Sequence, residues 1–300
     1  MPVVELAGVT KVYESKVAVR DLSLSIEAGQ MFGLLGPNGA GKTSSIRMMM
    51  GITLPDSGTV RLFGRPFERT SLERVGYLPE ERGLYKKMKV GEQLAFFGRL
   101  HGLSAHEAHR RAAAWTTRLD IDDVLEKKTE ELSKGMQQKI QFIGALLHDP
   151  GLIVMDEPFS GLDPVNAKLL EKTLLELKDT GKAIVFSTHR MDQVEKLCDS
   201  ICLIHQGEAV LSGRVREIKS RYERNHILVE FEGSAKFLGS AEIAEAKNFA
   251  GHAEIRLKPH GDAQKLLAEA AAGAKIYRFE MVEPSLEDIF IQTVGGKVDA

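Results

Sequence analysis

The chain has 300 residues, with 40 Lys plus Arg, 42 Asp plus Glu and a formal net charge of −2. That length exceeds a typical single core, so one large domain and a smaller one are expected. The charge balance excludes a chain built mainly to coat nucleic acid, although it leaves room for a local basic patch.

Met1-Pro2-Val3-Val4-Glu5-Leu6 has no basic stretch followed by an apolar one, so no secretory signal is read there. Residues 3–6 and 17–26 show partial apolar alternation and are expected as strands of a β-rich layer. Tyr13 lies between them; an aromatic there can stack on an adenine ring or simply belong to an edge strand. Gln30 to Leu35 is a short apolar run, expected as a buried strand. It leads into Gly36-Pro37-Asn38-Gly39-Ala40-Gly41-Lys42-Thr43, which fits the phosphate-binding template G-x-x-x-x-G-K-[ST] at every fixed position. Residues 43–50 suit a helix, so the motif has the strand, loop and helix it needs. The glycines let backbone N–H groups converge on phosphate oxygens. The helix points its partial positive end at the same phosphates. Lys42 can reach the β- and γ-phosphates, and the Thr43 hydroxyl can ligate Mg²⁺.

Pro55 to Gly58 is a turn signal, and Thr59 to Phe63 a strand. Another strand runs from Val75 to Pro79 and opens into a charged loop, Glu80-Glu81-Arg82-Gly83-Leu84-Tyr85. From about Val90 to Leu147 the composition turns helical, which predicts an inserted helical subdomain with Trp115 in its core. His106 and His109 share a helical face but lack a third ligand, so they are read as solvated. Ser133 is a good N-cap for a helix reaching Leu147, and a helix start with Ser and Gly is also a small anion site.

Leu152 to Met155 is an apolar strand ending in Asp156 and Glu157, with Pro158 forcing the exit. In a doubly wound sheet that end is the ligand-binding edge. Asp156 can hold Mg²⁺ through water, and Glu157 can act as general base on a water. A turn at Ser160-Gly161-Leu162-Asp163-Pro164 precedes an amphipathic helix over 166–178. Ala183 to Thr188 is a further buried strand, ending at His189. Ser200 to Ile204 and Glu208 to Leu211 read as a hairpin around Gln206-Gly207. The two cysteines, Cys198 and Cys202, read as small buried hydrophobes of a reduced chain; a zinc site would need more ligands than His205. The longest apolar run, Phe142 to Met155, is interrupted at His148-Asp149-Pro150-Gly151, short of the roughly 18 residues of a membrane span. Past Arg216, strands over 226–231, 253–257 and 276–281 and helices over 264–272 and after Pro284-Ser285 predict a small α+β domain without a catalytic constellation.

Five of these stretches, in this order over roughly Val3 to Gly213, resemble the nucleotide-binding subunit of an ATP-binding-cassette (ABC) transporter. Gly36 to Thr43 resembles Walker A and Leu132-Ser133-Lys134-Gly135-Met136 the family signature. Leu152 to Asp156 with Glu157 resembles Walker B and its catalytic glutamate, Ser160 to Asp163 the D-loop, and His189 the switch histidine. The resemblance implies an α/β fold: a P-loop NTPase (RecA-like) core with an antiparallel β layer and a helical subdomain at about 85–150. These make up an ATP-binding domain over 1–215, followed by a small α+β accessory domain over 216–300. It implies ATP and Mg²⁺ as cofactors, and hydrolysis by Glu157, His189 and Glu80. Tyr13, Gly36 to Thr43, Ser44, Ser133, Gly135 and Asp163 would contact nucleotide, and Thr43, Asp156 and Glu80 the metal.

The resemblance also implies partners. A second nucleotide-binding subunit would pair head to tail around two ATP, its Ser133 and Gly135 capping the phosphate held by Lys42. A separate transmembrane permease subunit would dock behind Glu80 to Tyr85, placing the chain in the cytoplasm at the inner face of the cell membrane. No nucleic-acid partner is expected. Two departures stand out: Glu80 replaces the usual glutamine, and the signature reads Leu-Ser-Lys-Gly-Met. With the Glu81 to Tyr85 tail and Pro284-Ser285-Leu286-Glu287-Asp288-Ile289-Phe290, they resemble bacterial efflux ATPases of the sodium-export type, which carry a C-terminal accessory domain. The alternative is a soluble ABC-type ATPase acting on a macromolecular partner. One phosphate loop and no long heptad insertion argue against its translation-factor and DNA-repair versions.

Overall fold

The computed structural model describes residues 1–81, 83–222 and 225–295. Arg82, assigned above to the charged loop, lies outside the described residues, as do the last five residues of the accessory segment. The chain divides into two compact units, Met1–Arg214 and Val215 onward.

In the first unit, β1 (Val4–Tyr13), β2 (Lys16–Ile26), β4 (Ser57–Leu62) and β5 (Arg65–Pro66) form an antiparallel sheet in the order β2-β1-β4-β5. Tyr13 does not sit between strands: β1 runs on through a bulged stretch until Tyr13 pairs with Lys16. The second sheet contains β3 (Met31–Leu35), β6 (Val75–Leu78), β7 (Leu152–Asp156), β8 (Ala183–Thr188), β9 (Ser200–His205) and β10 (Glu208–Arg214). Its order is β10-β9-β3-β8-β7-β6, parallel except for the edge strand β10. Every residue of β3, β7 and β8 is buried, as continuous apolar runs between two covered faces require. Each fully buried Leu, Ile or Val there contributes roughly 1.5–3 kcal/mol. Register then fixes the functional edge. Leu35 pairs with Thr188, Asp156 with Ser187 and Leu78 with Met155, so four strands finish at one level.

Helix α1 (Lys42–Met49) follows β3. The helical segment comprises α2 (Val90–Leu100), α3 (Ala105–Arg118) and α4 (Lys134–Leu146). Ser104 and Ser133 cap α3 and α4 by accepting from the N–H groups of Glu107 and Met136. Trp115 is half-buried rather than central. It lies edge-on to Phe142 at 6.3 Å and under the Arg118 guanidinium at 4.7 Å. His109 bonds the Ala105 carbonyl of its own helix, and no group of three potential metal ligands occurs among the described residues. Helix α5 (Pro164–Asp179) is capped by Asp163, and α6 (Met191–Leu197) leads to β9. Cys198 and Cys202 are buried and unbridged; burial pushes the Cys202 thiol up to about 12. Among the described residues, no helix is long and apolar enough to cross a membrane.

In the second unit the charged stretch after Arg214 is a helix, α7 (Val215–Ser220), with Val215 and Ile218 buried. An antiparallel sheet of order β12-β13-β11-β14 follows, from β11 (His226–Gly233), β12 (Ile243–Phe249), β13 (His252–Leu257) and β14 (Ala274–Val282). Alternate residues Ile227, Val229, Ala253, Ile255 and Leu257 face Leu266 and Ala270 of α8 (Ala263–Gly273). Strand β12 was not expected from the sequence. Helix α9 (Leu286–Gly295) opens with a reciprocal cap: Asp288 N–H donates to Ser285 Oγ, and Ser285 N–H donates to Asp288 Oδ2.

Candidate active site

The Gly36 to Thr43 loop is clamped from two sides. Gly36 has φ 146°, and a Cβ there would lie 2.1 Å from the Ile204 carbonyl of β9; Gly41 has φ 117°, and its Cβ would lie 2.4 Å from the Ala18 carbonyl of β2. Only glycine permits both the left-handed backbone and the close approach. Gly41 is also the N-cap of α1, without a side-chain cap and without acidic residues in the first turn. The helix start is left for an external anion.

Lys42 is 6% exposed and folds back over the loop, Nζ donating to the Gly36 carbonyl at 2.7 Å and the Pro37 carbonyl at 3.1 Å. Desolvation lowers its pKa, opposed by the charges of Glu157, Asp156 and Glu80. Nζ lies 4.0 Å from Glu157 Oε1, and that same oxygen accepts from His189 Nδ1 at 3.0 Å. Glu157 itself has φ 49°, an uncommon backbone for a non-glycine residue. Its N–H donates to Ser187 Oγ at 3.0 Å and to the Ser187 carbonyl at 3.2 Å. Ser187 Oγ in turn donates to Asp156 Oδ1. Asp156 is 1% exposed, and its Oδ2 is buried without a hydrogen-bond partner.

A cleft of about 420 Å³ joins these groups, lined by Tyr13, Lys16, Ala18, Asn38, Gly39, Gly41, Lys42, Thr43, Ser44, Glu80, Asp156 and Glu157. It brings together most of the residues singled out in the sequence, with His189 reaching it through Glu157. Ser133, Gly135 and Asp163 are not among its lining residues. They neighbour one another instead: a Cβ on Gly135 would lie 3.8 Å from Asn166 Nδ2, and Asn166 bonds the Asp163 carboxylate. Asp163 also accepts from the N–H groups of Val165 and Asn166, which hold its carboxyl below the ordinary aspartate value. The chain thus carries two distinct patches, a lined cleft and an exposed turn pair at the starts of α4 and α5.

Sequence reasoning missed Ser187, which joins both carboxylate positions, and Lys16, which lines the cleft. The only signal for Ser187 was its polarity at the end of an apolar strand. The orphaned Asp156 oxygen beside Thr43 is the donor pattern that suits Mg²⁺, which takes one or two protein oxygens with phosphate and water.

Residues 19–160 match the ABC transporter family, and residues 213–294 match the C-terminal domain of DrrA1-3-like ATP-binding proteins. The chain is 44% identical over 289 residues to the uncharacterized ABC transporter ATP-binding protein YhaQ of Bacillus subtilis, covering 96% of this chain and 97% of that one. It is 34% identical over 306 residues to the Nod factor export ATP-binding protein I of Burkholderia lata, covering 99% of each. A solved ATP-binding subunit of an ABC transporter superposes with a TM-score of 0.68 at 30% identity, over 73% of this chain and 92% of that one. Loop, paired carboxylates, fold and relatives agree: the chain belongs to the ABC transporter family, as an ATP-binding subunit with a DrrA-like C-terminal domain.

Proposed function

We propose that this subunit hydrolyses Mg²⁺-ATP in a head-to-tail pair of identical chains and powers export through a separate transmembrane subunit. The observation that carries the reading is the Glu157 carboxylate, held between Lys42 and His189 beside a buried Asp156 oxygen that lacks a partner. In hydrolysis Lys42 exchanges the Gly36 and Pro37 carbonyls for phosphate oxygens. Glu157 orients a water and takes its proton as the water oxygen attacks the γ-phosphorus and the bond to ADP breaks. His189 fixes the Glu157 carboxylate. Thr43, Asp156 and Glu80 would hold Mg²⁺, which would supply positive charge to offset the charge that develops on the phosphate. Tyr13 stacks on the adenine, and Asn38 and Ser44 border the phosphates.

The separated Ser133–Gly135 and Asp163 patch supports the pairing. A capped helix start that lines no cleft in its own copy can donate to a phosphate held by the other. An apolar groove of about 350 Å³, bordered by Tyr77, Pro79, Leu84, Phe97 and Leu100, supports docking of the transmembrane subunit, which would hold the chain at the inner membrane face. The name of the Nod factor export relative supports export, and Glu80 with Lys134 and Met136 supports the sodium-export type. The test is ATP turnover by the purified chain with and without its co-expressed membrane subunit. Magnesium-dependent phosphate release that the membrane subunit changes is the expected result; a chain that binds no ATP overturns the reading.

A further inference from the structure

We infer that Gln141 is a positioning residue for the hydrolysis proposed above, holding Glu80 at the cleft through the two carbonyls that flank it. The inference rests on the reading of Glu80 as a nucleotide-site residue. Gln141 lies on α4, 8% exposed, between Ile140 and Phe142, which are fully or almost fully buried. Its Nε2 donates to the Pro79 carbonyl and to the Glu81 carbonyl, each at 3.1 Å. One planar amide nitrogen, with two N–H groups, thus spans the residues before and after Glu80.

Its Oε1 is buried and makes no hydrogen bond. An amide with an orphaned oxygen is costly among apolar neighbours, and a leucine would cost less. The two donated bonds are what this side chain offers in return. The base of the side chain is also fixed. A Cβ on Gly76 of β6 would lie 2.2 Å from the Ala145 carbonyl, and one on Gly144 would lie 2.9 Å from the Phe97 ring. Helix α4 is therefore locked between β6 and α2 where Gln141 emerges. Less than one turn earlier, Gln138 Nε2 donates to the Pro158 carbonyl at 3.2 Å, next to Glu157. The loops carrying both cleft glutamates hang from the helix whose first turn follows Ser133. Gln141 also lines the apolar groove behind the Glu80 loop, so the side chain that grips this loop from the groove holds the residues on either side of Glu80, which lines the cleft.

The test is a double-mutant cycle in the full chain, Gln141→Met with Glu80→Ala. It is read in kcat, in the KM for ATP and in the magnesium concentration that half-saturates ATP binding. With Glu80 present, Gln141→Met is expected to lower kcat at least about five-fold, or to raise the magnesium requirement as much, with KM moving less than about two-fold. With Glu80→Ala, the same substitution is expected to change neither quantity by more than about two-fold. Gln141→Glu, which keeps the shape but loses the donors, reproduces the loss if Gln141→Met folds poorly. An equal loss with and without Glu80, or no loss with it, overturns the inference. A wild-type chain that fails to bind ATP instead overturns the reading of the site.

Discussion

Ser187→Ala tests how the two carboxylate positions are built. Ser187 is fully buried, and its hydroxyl donates to Asp156 Oδ1 while accepting the Glu157 N–H at 3.0 Å. The Glu157 N–H keeps the Ser187 carbonyl at 3.2 Å, so it is not orphaned by the change. Asp156 is: with Oδ2 already unpartnered, loss of the bond to Oδ1 would leave neither oxygen of a 1% exposed carboxylate with a side-chain donor among the described residues. A hydrogen bond to a charged group is worth roughly 1.5–3 kcal/mol, so a loss of about 2 kcal/mol is expected. With a urea slope of about 2–3 kcal/mol/M, the unfolding midpoint of the nucleotide-free chain moves down by about 0.7–1 M. Loosening of the Glu157 backbone should cost turnover as well, by about ten-fold in kcat, equivalent to ~1.4 kcal/mol. A midpoint within about 0.2 M of wild type, with kcat within about two-fold, would refute the reasoning.

Lys42→Ala should weaken ATP binding by more than about ten-fold, measured by calorimetry, because the cation nearest the loop is lost. Gly41→Val forces a Cβ against the Ala18 carbonyl at an unfavourable φ, so ATP affinity should fall at least about ten-fold while the far-UV spectrum is kept. His148 gives a pH effect. Burial, with the stacked His101 at 3.7 Å, lowers its pKa from 6.5 to about 4, while the Val75 carbonyl and Asp149 pull the other way and Lys182 adds a further lowering charge. The fold favours the neutral ring, so its contribution is complete above about pH 6.5 and is lost as pH falls toward 4. For a partly exposed ring this amounts to on the order of 1 kcal/mol, and His148→Phe should flatten the acid limb of urea stability by that amount.

The phosphate loop and the acidic strand end were legible because their chemistry fixes residue type and spacing together. Gly36, Gly41 and Lys42 cannot be exchanged without losing a backbone approach or a charge. The strands β3, β7 and β8 were legible for a related reason: burial on both faces makes them apolar runs up to the polar residues Asp156, Ser187 and Thr188 at their functional ends. Strand β12 was not. Ile243-Ala244-Glu245-Ala246-Lys247 lacks β-branched alternation, and its conformation is imposed by pairing with β13 at an exposed edge. The roles of Ser187, Gln138 and Gln141 were equally hidden. A polar side chain in an apolar segment reveals its partner only once another segment, here Asp156, Pro158 or the Glu80 loop, is brought to it. Tyr13 shows the opposite limit. Its aromatic ring could be noted in advance, but only the length of β1 places it on the cleft wall.

The most direct measurement of the central claim is the mass in solution of Glu157→Gln with saturating Mg²⁺-ATP. That variant keeps the cleft and the Ser133–Gly135 turn while removing the base, so ATP stays bound and the two patches should meet between copies. Light scattering should then give twice the 33.1 kDa chain mass with ATP, and the single-chain mass without it. A chain that binds ATP and remains at 33.1 kDa would contradict the account.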